Sequence, residues 1–170
     1  VAVPTQDMVL GIYYLTQERE GAKGEGKYFK NVNEAILAYE NQVITLQSRI
    51  KVRVTKKRED GEVISDIVES TLGRFIFNEV LPQDLGFVDR SNPENLLKLE
   101  VDFHVGKKQL KQILEKVINI HGAVRTAEVL DLIKSTGYKY STQAAMTVSI
   151  SDMTVPAEKE KMLEEAQATV

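Results

Sequence analysis

A chain of 170 residues, 42% of them hydrophobic, is long enough for one compact domain whose core buries about 70% of the unfolded surface. Its 22 basic and 25 acidic side chains leave a formal net charge of −3, which gives no overall electrostatic reason to bind nucleic acid or an anionic membrane. Cysteine is absent, which excludes disulfides and thiolate chemistry, and no apolar run reaches the roughly 20 residues of a membrane span, so we expect a cytosolic protein without membrane contact.

Two short helices are predicted near the start of the chain. The first follows a cap at Thr5 or Asp7 and repeats its apolar side chains at helical spacing. The second begins at Asn31, has a glutamate three residues later, and is expected to end near Asn41. The glycine-rich segment from Gly21 to Lys27 lies between them and matches no phosphate-loop pattern, so a flexible turn is favoured over a nucleotide loop.

A β-hairpin is predicted over about residues 44–70. Ile44 to Thr55 alternates apolar with polar or basic side chains, the period of a half-buried strand. Asp60-Gly61 supplies a turn, and Val63 to Ser70 returns as a second strand rich in β-branched residues.

One face of this hairpin is basic and permits two interpretations. Its members are Arg49, Lys51, Arg53, Lys56, Lys57 and Arg58. They have the charge to attract a phosphate backbone, but no aromatic side chains alternate with them to stack on bases. A solvated outer face whose charge is answered by nearby carboxylates is therefore favoured. The carboxylates are Glu59, Asp60, Glu62 and Asp66.

Three further helices are predicted downstream of the hairpin. Thr71 to Leu81 forms the first, which Pro82 ends, and an irregular connection follows to about His104. Gly106 to Gly122 and Thr126 to Ser135 form the other two, and their short connection predicts an antiparallel pair packed on the sheet.

The last part of the chain is predicted to contain a strand and a protruding helix. Apolar and polar residues alternate over residues 146–152, which predicts a third strand. Pro156 then opens a helix whose narrow apolar stripe is typical of pairing with a helix outside this chain. The predicted fold is α+β, an antiparallel sheet with packed helices, divided into a domain at 1–155 and a helix at 156–170.

The two termini suggest that the chain is an excised piece of a longer protein. It begins at Val1 rather than methionine, and it stops at Val170 within a helical pattern that has no terminating glycine. Surfaces that normally meet other subunits would then be exposed, so we expect apolar patches and self-association.

No catalytic constellation is predicted. His104 and His121 fall in a loop and at a helix end, where structural roles are favoured over metal binding or general-base catalysis. The carboxylates lack metal-binding spacing, and no serine lies in a G-x-S-x-G elbow. An independent hydrolase is the least favoured class of function.

Four blocks of the sequence resemble one known family, in that family's order. They are PTQDMVLGIYYLT, AKGEG, TLGRFIFNEVLP and TGYKYSTQAAMTVSISDM. The chain is similar to the largest catalytic subunit of bacterial RNA polymerase, the beta-prime subunit, in its clostridium-like form. The resemblance implies the pore domain, which follows the magnesium-binding loop and precedes the bridge helix. In that family it helps to wall the secondary channel, used by nucleoside triphosphates, by backtracked RNA and by transcript-cleavage factors.

The resemblance places the chemistry outside this segment. The magnesium-binding aspartate motif of the family is missing, so no catalytic residue, metal ligand or cofactor is implied for the chain itself. Magnesium, DNA, RNA, nucleoside triphosphates and the other polymerase subunits are implied for the assembled nucleotidyltransferase, in the cytoplasm and associated with the nucleoid. The competing class is a freestanding nucleic-acid-binding module that uses the basic face from Arg49 to Arg58.

The resemblance also implies channel-proximal residues. They are Gln6, Asp7, Gly73, Arg74, Gly137, Tyr138, Tyr140 and Asp152. Gln6 and Asp7 are expected to cap the first helix near the active centre. Arg74 is expected to hold a neighbouring segment or a phosphate, with a structural ion pair favoured. Departures from the family occur where relatives have glycine or aspartate, at Ala145, Ser149 and Ser151.

Overall fold

The computed structural model describes the backbone of residues 5–154 and the side chains of residues 5–146. Its helices are α1 (Gln6–Thr16), α2 (Val32–Glu40), α3 (Leu72–Glu79) and α4 (Lys107–Thr154), with a short 3-10 helix at Pro93–Asn95. Its strands are β1 (Tyr28–Phe29), β2 (Arg49–Lys57) and β3 (Val63–Thr71). The predicted α+β class is confirmed. The predicted boundary at residue 155 and the helix at 156–170 lie outside the described residues.

Local side-chain hydrogen bonds begin the first two helices. Thr5 Oγ1 accepts from the Met8 amide at 3.2 Å, and Asn31 Oδ1 accepts from the Glu34 amide at 2.8 Å. Each bond satisfies an amide that the helix itself leaves without a partner. Thr5 is therefore the cap of α1, as predicted, whereas the expectation from the resemblance that Gln6 and Asp7 cap this helix is wrong, because both lie within its first turn.

The sheet is mixed, in the order β1-β2-β3, and β1 runs parallel to β2. The predicted hairpin is confirmed over β2 and β3, whose antiparallel register runs from Arg49 opposite Thr71 to Lys57 opposite Val63. Gly61 has a φ of 87° in the connecting turn, a conformation that glycine adopts without strain. The two-residue strand β1 is too short to leave a periodic signal, so the sequence did not predict it.

The first part of the predicted hairpin, Ile44 to Ser48, is a turn rather than a strand. Ser48 Oγ accepts from the Thr45 amide at 3.0 Å and lies 2.9 Å from the Thr45 hydroxyl. Such local bonds replace the ladder bonds that a strand would make. Ile44 and Leu46 are nevertheless buried, which explains why their alternation resembled a strand.

Helix α4 folds back on itself at Gly122, whose φ of 81° and ψ of 178° are not helical. The Val105 amide, just before α4, donates to Thr16 Oγ1 at 2.9 Å, and the Tyr138 hydroxyl lies 3.0 Å from Thr5 Oγ1. A straight helix would separate these two parts of α4 by about 45 Å, but α1 is only about 16 Å long. The predicted helix pair is confirmed, and it packs chiefly on α1 rather than on the sheet.

The predicted strand at 146–152 is wrong, because α4 continues to Thr154. A short alternating run does not separate a strand from a helix, and Ala144 and Ala145 immediately before it are strong helix formers. Ala145 lies within the helix, so it carries none of the backbone strain that a required positive φ would impose. The substitutions at Ser149 and Ser151 also fall on helical backbone.

One core joins the helices to the inward face of the sheet. The largest fully buried side chains are Met8, Ile12, Leu15, Ile44, Leu46, Ile50, Leu72, Phe77, Leu85, Leu110, Ile113 and Ile133. Large apolar side chains are also exposed, among them Leu37 at 58% and Val124 at 78%. The expected exposed apolar residues are therefore present, and the self-association expected from them remains a prediction.

Candidate functional site

Five of the channel-proximal residues implied by the resemblance lie at the two ends of α1. Tyr138 contacts Thr5 at the start of this helix, where Gln6 and Asp7 are exposed. Gly73 and Arg74 lie at the other end, against the last turn of α1. The structure therefore gathers these five residues into an exposed start and a buried end. The Asp152 side chain lies outside the described residues.

Gly137 allows α1 and α4 to cross with their backbones in contact. A Cβ atom on Gly11 would lie 1.7 Å from the Gly137 carbonyl oxygen, and one on Gly137 would lie 2.8 Å from the Met8 carbonyl oxygen. Both positions therefore require glycine for packing. This contact fixes the neighbouring Tyr138 over the start of α1, and the Tyr138 side chain is 43% exposed there.

Arg74 connects three segments at the other end of α1. Its Nε donates to the Thr16 carbonyl at 3.0 Å, and its Nη1 lies 3.4 Å from both Glu18 Oε1 and Asp102 Oδ1. The Arg74 side chain is only 9% exposed. These contacts give Arg74 the structural ion pairs that were favoured, and they turn its guanidinium towards protein atoms rather than towards a bound phosphate.

Gly73 brings α3 against the end of α1. A Cβ atom at this position would lie 1.7 Å from the Leu15 carbonyl oxygen. The Gly73 amide also donates to the Leu46 carbonyl at 3.1 Å. Gly73 and Arg74 therefore depend on each other, because the close approach of the backbones at Gly73 places Arg74 beside Thr16.

The long connection between α3 and α4 is ordered by buried polar contacts that the sequence did not reveal. Glu100 is 1% exposed, accepts from the Leu85 and Val88 amides at 3.2 and 3.1 Å, and lies 3.5 Å from Arg90. Asn78 fixes the end of the connection, accepting from the Val101 amide at 2.9 Å. No periodic pattern marks such residues, because their partners are distant or irregular backbone groups.

Tyr140, on α4, is buried and lies near Glu79 and Tyr39. Burial raises its pKa, and the nearby Glu79 carboxylate adds to the effect. Tyr39 lies in the same region, and its hydroxyl donates to Gln143 Oε1 at 2.7 Å. The expected channel-side residue Tyr140 therefore belongs to the packed interior of the described chain.

Stability at high pH is expected to depend on Tyr39. Burial, with smaller contributions from Tyr14 and Tyr140, raises the pKa of Tyr39 from 10.0 to about 12. The folded state thus holds this proton more tightly than the unfolded state, so the contribution is complete below pH 10.0 and is lost as the pH rises towards about 12. Urea unfolding at stepped pH should show a shallower decline for Tyr39→Phe, and equal slopes would contradict this assignment.

Carboxylates neutralise part of the basic face of the hairpin, as the interpretation as a solvated outer face requires. Most of these carboxylates are not the ones that the sequence predicted. Arg49 pairs with Glu18 at 2.8 Å and Glu69 at 3.1 Å. Of the expected carboxylates, Glu62 pairs with Arg58 at 3.8 Å. Asp66 lies on the opposite face, because the register places it across from Val54 rather than from an outward-facing residue.

Neither histidine adopts a metal-binding arrangement within the described residues. His104 Nε2 lies 2.9 Å from the Tyr13 carbonyl oxygen, and His121 Nε2 lies 2.7 Å from Asp84 Oδ1. A search of the described part of the chain finds no group of three or more His, Cys, Asp or Glu side chains placed to hold a metal ion.

The glycine-rich segment from Gly21 to Lys27 is a turn closed by its own carboxylate. Glu25 Oε2 accepts from the Gly21 amide at 2.6 Å, and the Gly26 amide donates to the Arg49 carbonyl at 2.8 Å. A phosphate would have to displace this carboxylate. The favoured interpretation as a turn is confirmed.

No helix in the described range is both long enough and apolar enough to cross a membrane.

The sequence matches the family RNA polymerase Rpb1, domain 3, over residues 1–153, and the chain belongs to this family. It is 68% identical over its full length to the DNA-directed RNA polymerase subunit beta' of Lachnoclostridium phytofermentans. Identity is 56% and 57% to the subunits of the same name from Caldicellulosiruptor saccharolyticus and Acetivibrio thermocellus. The chain spans 14% of the length of each relative. The resemblance to a clostridium-like beta-prime subunit is confirmed.

Proposed function

We propose that this chain is a non-catalytic wall segment of the secondary channel of a DNA-directed RNA polymerase, next to the active centre. The family assignment supports the enzyme, and one structural feature supports the role. Gln6, Asp7 and Tyr138 are exposed polar side chains at the start of α1. By the resemblance, this helix follows directly on the family's magnesium-binding loop.

The rest of the site holds this surface in place. The backbone contact between Gly11 and Gly137 fixes α4 on α1, and Arg74 fixes the far end of α1 to α3 and to the connection at Asp102. Binding and channel surfaces are effective when rigid elements support them. We therefore assign Arg74 and Gly137 a supporting role, and Gln6, Asp7 and Tyr138 the contact with channel contents.

The chemistry belongs to the assembled enzyme in this proposal. Nucleotidyl transfer, magnesium, DNA, RNA and nucleoside triphosphates are assigned to the complete polymerase in the cytoplasm, associated with the nucleoid. The other subunits are the structural partners, and transcript-cleavage factors are the transient ones. Residues outside this chain would hold the magnesium ions.

A cleavage reagent tethered at residue 7 tests the proposal. The chain has no cysteine, so Asp7→Cys in the full-length subunit gives this segment one attachment point for an iron chelate that generates hydroxyl radicals. We expect the tethered chelate to cut the RNA of the assembled polymerase near its 3′ end, and to cut more strongly in backtracked complexes. Asp60→Cys at the hairpin turn is the matched control and should give no such cuts. Equal cutting from both positions would contradict the channel role.

A further inference from the structure

The outward face of the hairpin is a second surface, which the channel role does not use. The odd-numbered residues from Arg49 to Lys57 and from Val63 to Glu69 point outward, whereas Ile50 and Val52 are fully buried. We call this surface the outer sheet face. Its members are Tyr28, Arg49, Lys51, Arg53, Thr55, Lys57, Val63, Ser65, Ile67 and Glu69.

The outer sheet face carries an excess of positive charge. Arg49 is neutralised, because it pairs with Glu18 and Glu69. Glu69 lies opposite Lys51 in the register, but its Oε1 accepts from Arg49 Nε at 3.1 Å. The other basic side chains form no ion pair among residues 5–146. They are Lys51, Arg53 and Lys57.

Each of these cations has an exposed apolar or aromatic side chain directly opposite it on a neighbouring strand. The pairs are Lys51 with Tyr28, Arg53 with Ile67, and Lys57 with Val63. Val63 is 62% exposed, Tyr28 48% and Ile67 44%. The face therefore alternates charge and apolar area, which differs from a uniformly basic surface.

Arg53 is held in place at the centre of this face. Its Nε donates to the Tyr28 hydroxyl at 3.2 Å, and its Nη1 donates to Ser65 Oγ at 3.1 Å. The guanidinium therefore spans all three strands with restricted freedom. A side chain that is already ordered loses less conformational entropy when a partner binds.

We propose that the outer sheet face docks a protein surface on which carboxylates alternate with apolar side chains, within the assembled polymerase. Carboxylates complement Lys51, Arg53 and Lys57, and apolar side chains cover Val63 and Ile67. A phosphate backbone would pair with the cations but would leave Val63 and Ile67 exposed to water, and Tyr28 is the one aromatic ring among the members of this face on which a base could stack. The inference does not depend on the channel role, since it concerns the opposite side of the hairpin from the core.

Photo-crosslinking in the assembled polymerase identifies the occupant. The full-length subunit would carry p-benzoylphenylalanine in place of Ile67, with native charges retained, and Glu40 at the end of α2 would be the exposed polar control position. We expect a crosslink from position 67 to a protein segment that contains aspartate or glutamate beside apolar residues. A crosslink to DNA or RNA, a crosslink to a segment without carboxylates, or a yield no higher than at position 40 would overturn the proposal.

Charge reversal tests the electrostatic part. Replacing Lys51, Arg53 and Lys57 together by glutamate should lower the crosslink yield about tenfold, because the reversed charges repel an acidic partner. A matched reversal of three exposed lysines on α4 should leave the yield unchanged; these are Lys107, Lys108 and Lys111. Equal yields from the two triple variants would overturn the assignment of an acidic partner.

Discussion

Replacing Gly73 by alanine is expected to lower the free energy of unfolding by about 3 kcal/mol, the upper part of the range for overpacked cores. The added Cβ would lie 1.7 Å from the Leu15 carbonyl oxygen, so α1 and α3 would have to separate. The contact is with backbone, which has no alternative rotamer to adopt. Urea unfolding of the chain, followed by circular dichroism, measures the loss.

Gly106→Ala is the control for this prediction. A Cβ atom there would meet only side-chain atoms, Gln109 Oε1 at 3.2 Å and a Tyr13 ring carbon at 3.9 Å. The glutamine can rotate, so we expect a change below about 1 kcal/mol. Equal stability of the Gly73 variant and the wild type would show that α1 and α3 do not approach as described.

Replacing Arg74 by methionine is expected to lower the free energy of unfolding by about 2–4 kcal/mol. This is somewhat less than the loss expected for a fully buried ion pair, because Glu18 and Asp102 are partly exposed. The buried Thr16 carbonyl would lose its donor, and Glu18 and Asp102 would lose their shared cation. Arg74→Lys should recover only part of this, because an ammonium group cannot reach the carbonyl and both carboxylates with the geometry of a guanidinium. Urea unfolding measures both variants.

Arg125→Met provides the comparison for Arg74. Arg125 is 45% exposed and its contact with Glu128 is a surface pair within one helix, so the expected cost is below about 0.5 kcal/mol. The outcome separates the two roles first considered for Arg74. If Arg74 served only to bind a phosphate, its substitution would leave stability unchanged. That result would show that Arg74 does not support α1.

Features decided by neighbouring residues were predictable from the sequence. The caps at Thr5 and Asn31 and the turn at Gly61 depend on residues within a few positions, and all are present. The fold back at Gly122 was also predictable, since glycine interrupted two strongly periodic helices.

Features decided by distant contacts were not predictable. The segment at 146–152 has a strand-like pattern, but it continues a helix that packs on α1. Glu100 is an ordinary loop glutamate until the fold places two backbone amides and Arg90 around it. The partners of Arg74 likewise come from segments far apart in the chain, so the resemblance indicated the residue and only the structure gave its contacts.

Electron cryomicroscopy of the assembled polymerase, stalled on a backtracked template, tests the central claim most directly. The account predicts that Gln6, Asp7 and Tyr138 line the channel occupied by the RNA 3′ end, with Arg74 enclosed behind them between α1, α3 and Asp102. Finding the start of α1 buried against another subunit and away from the RNA would contradict the proposed channel role.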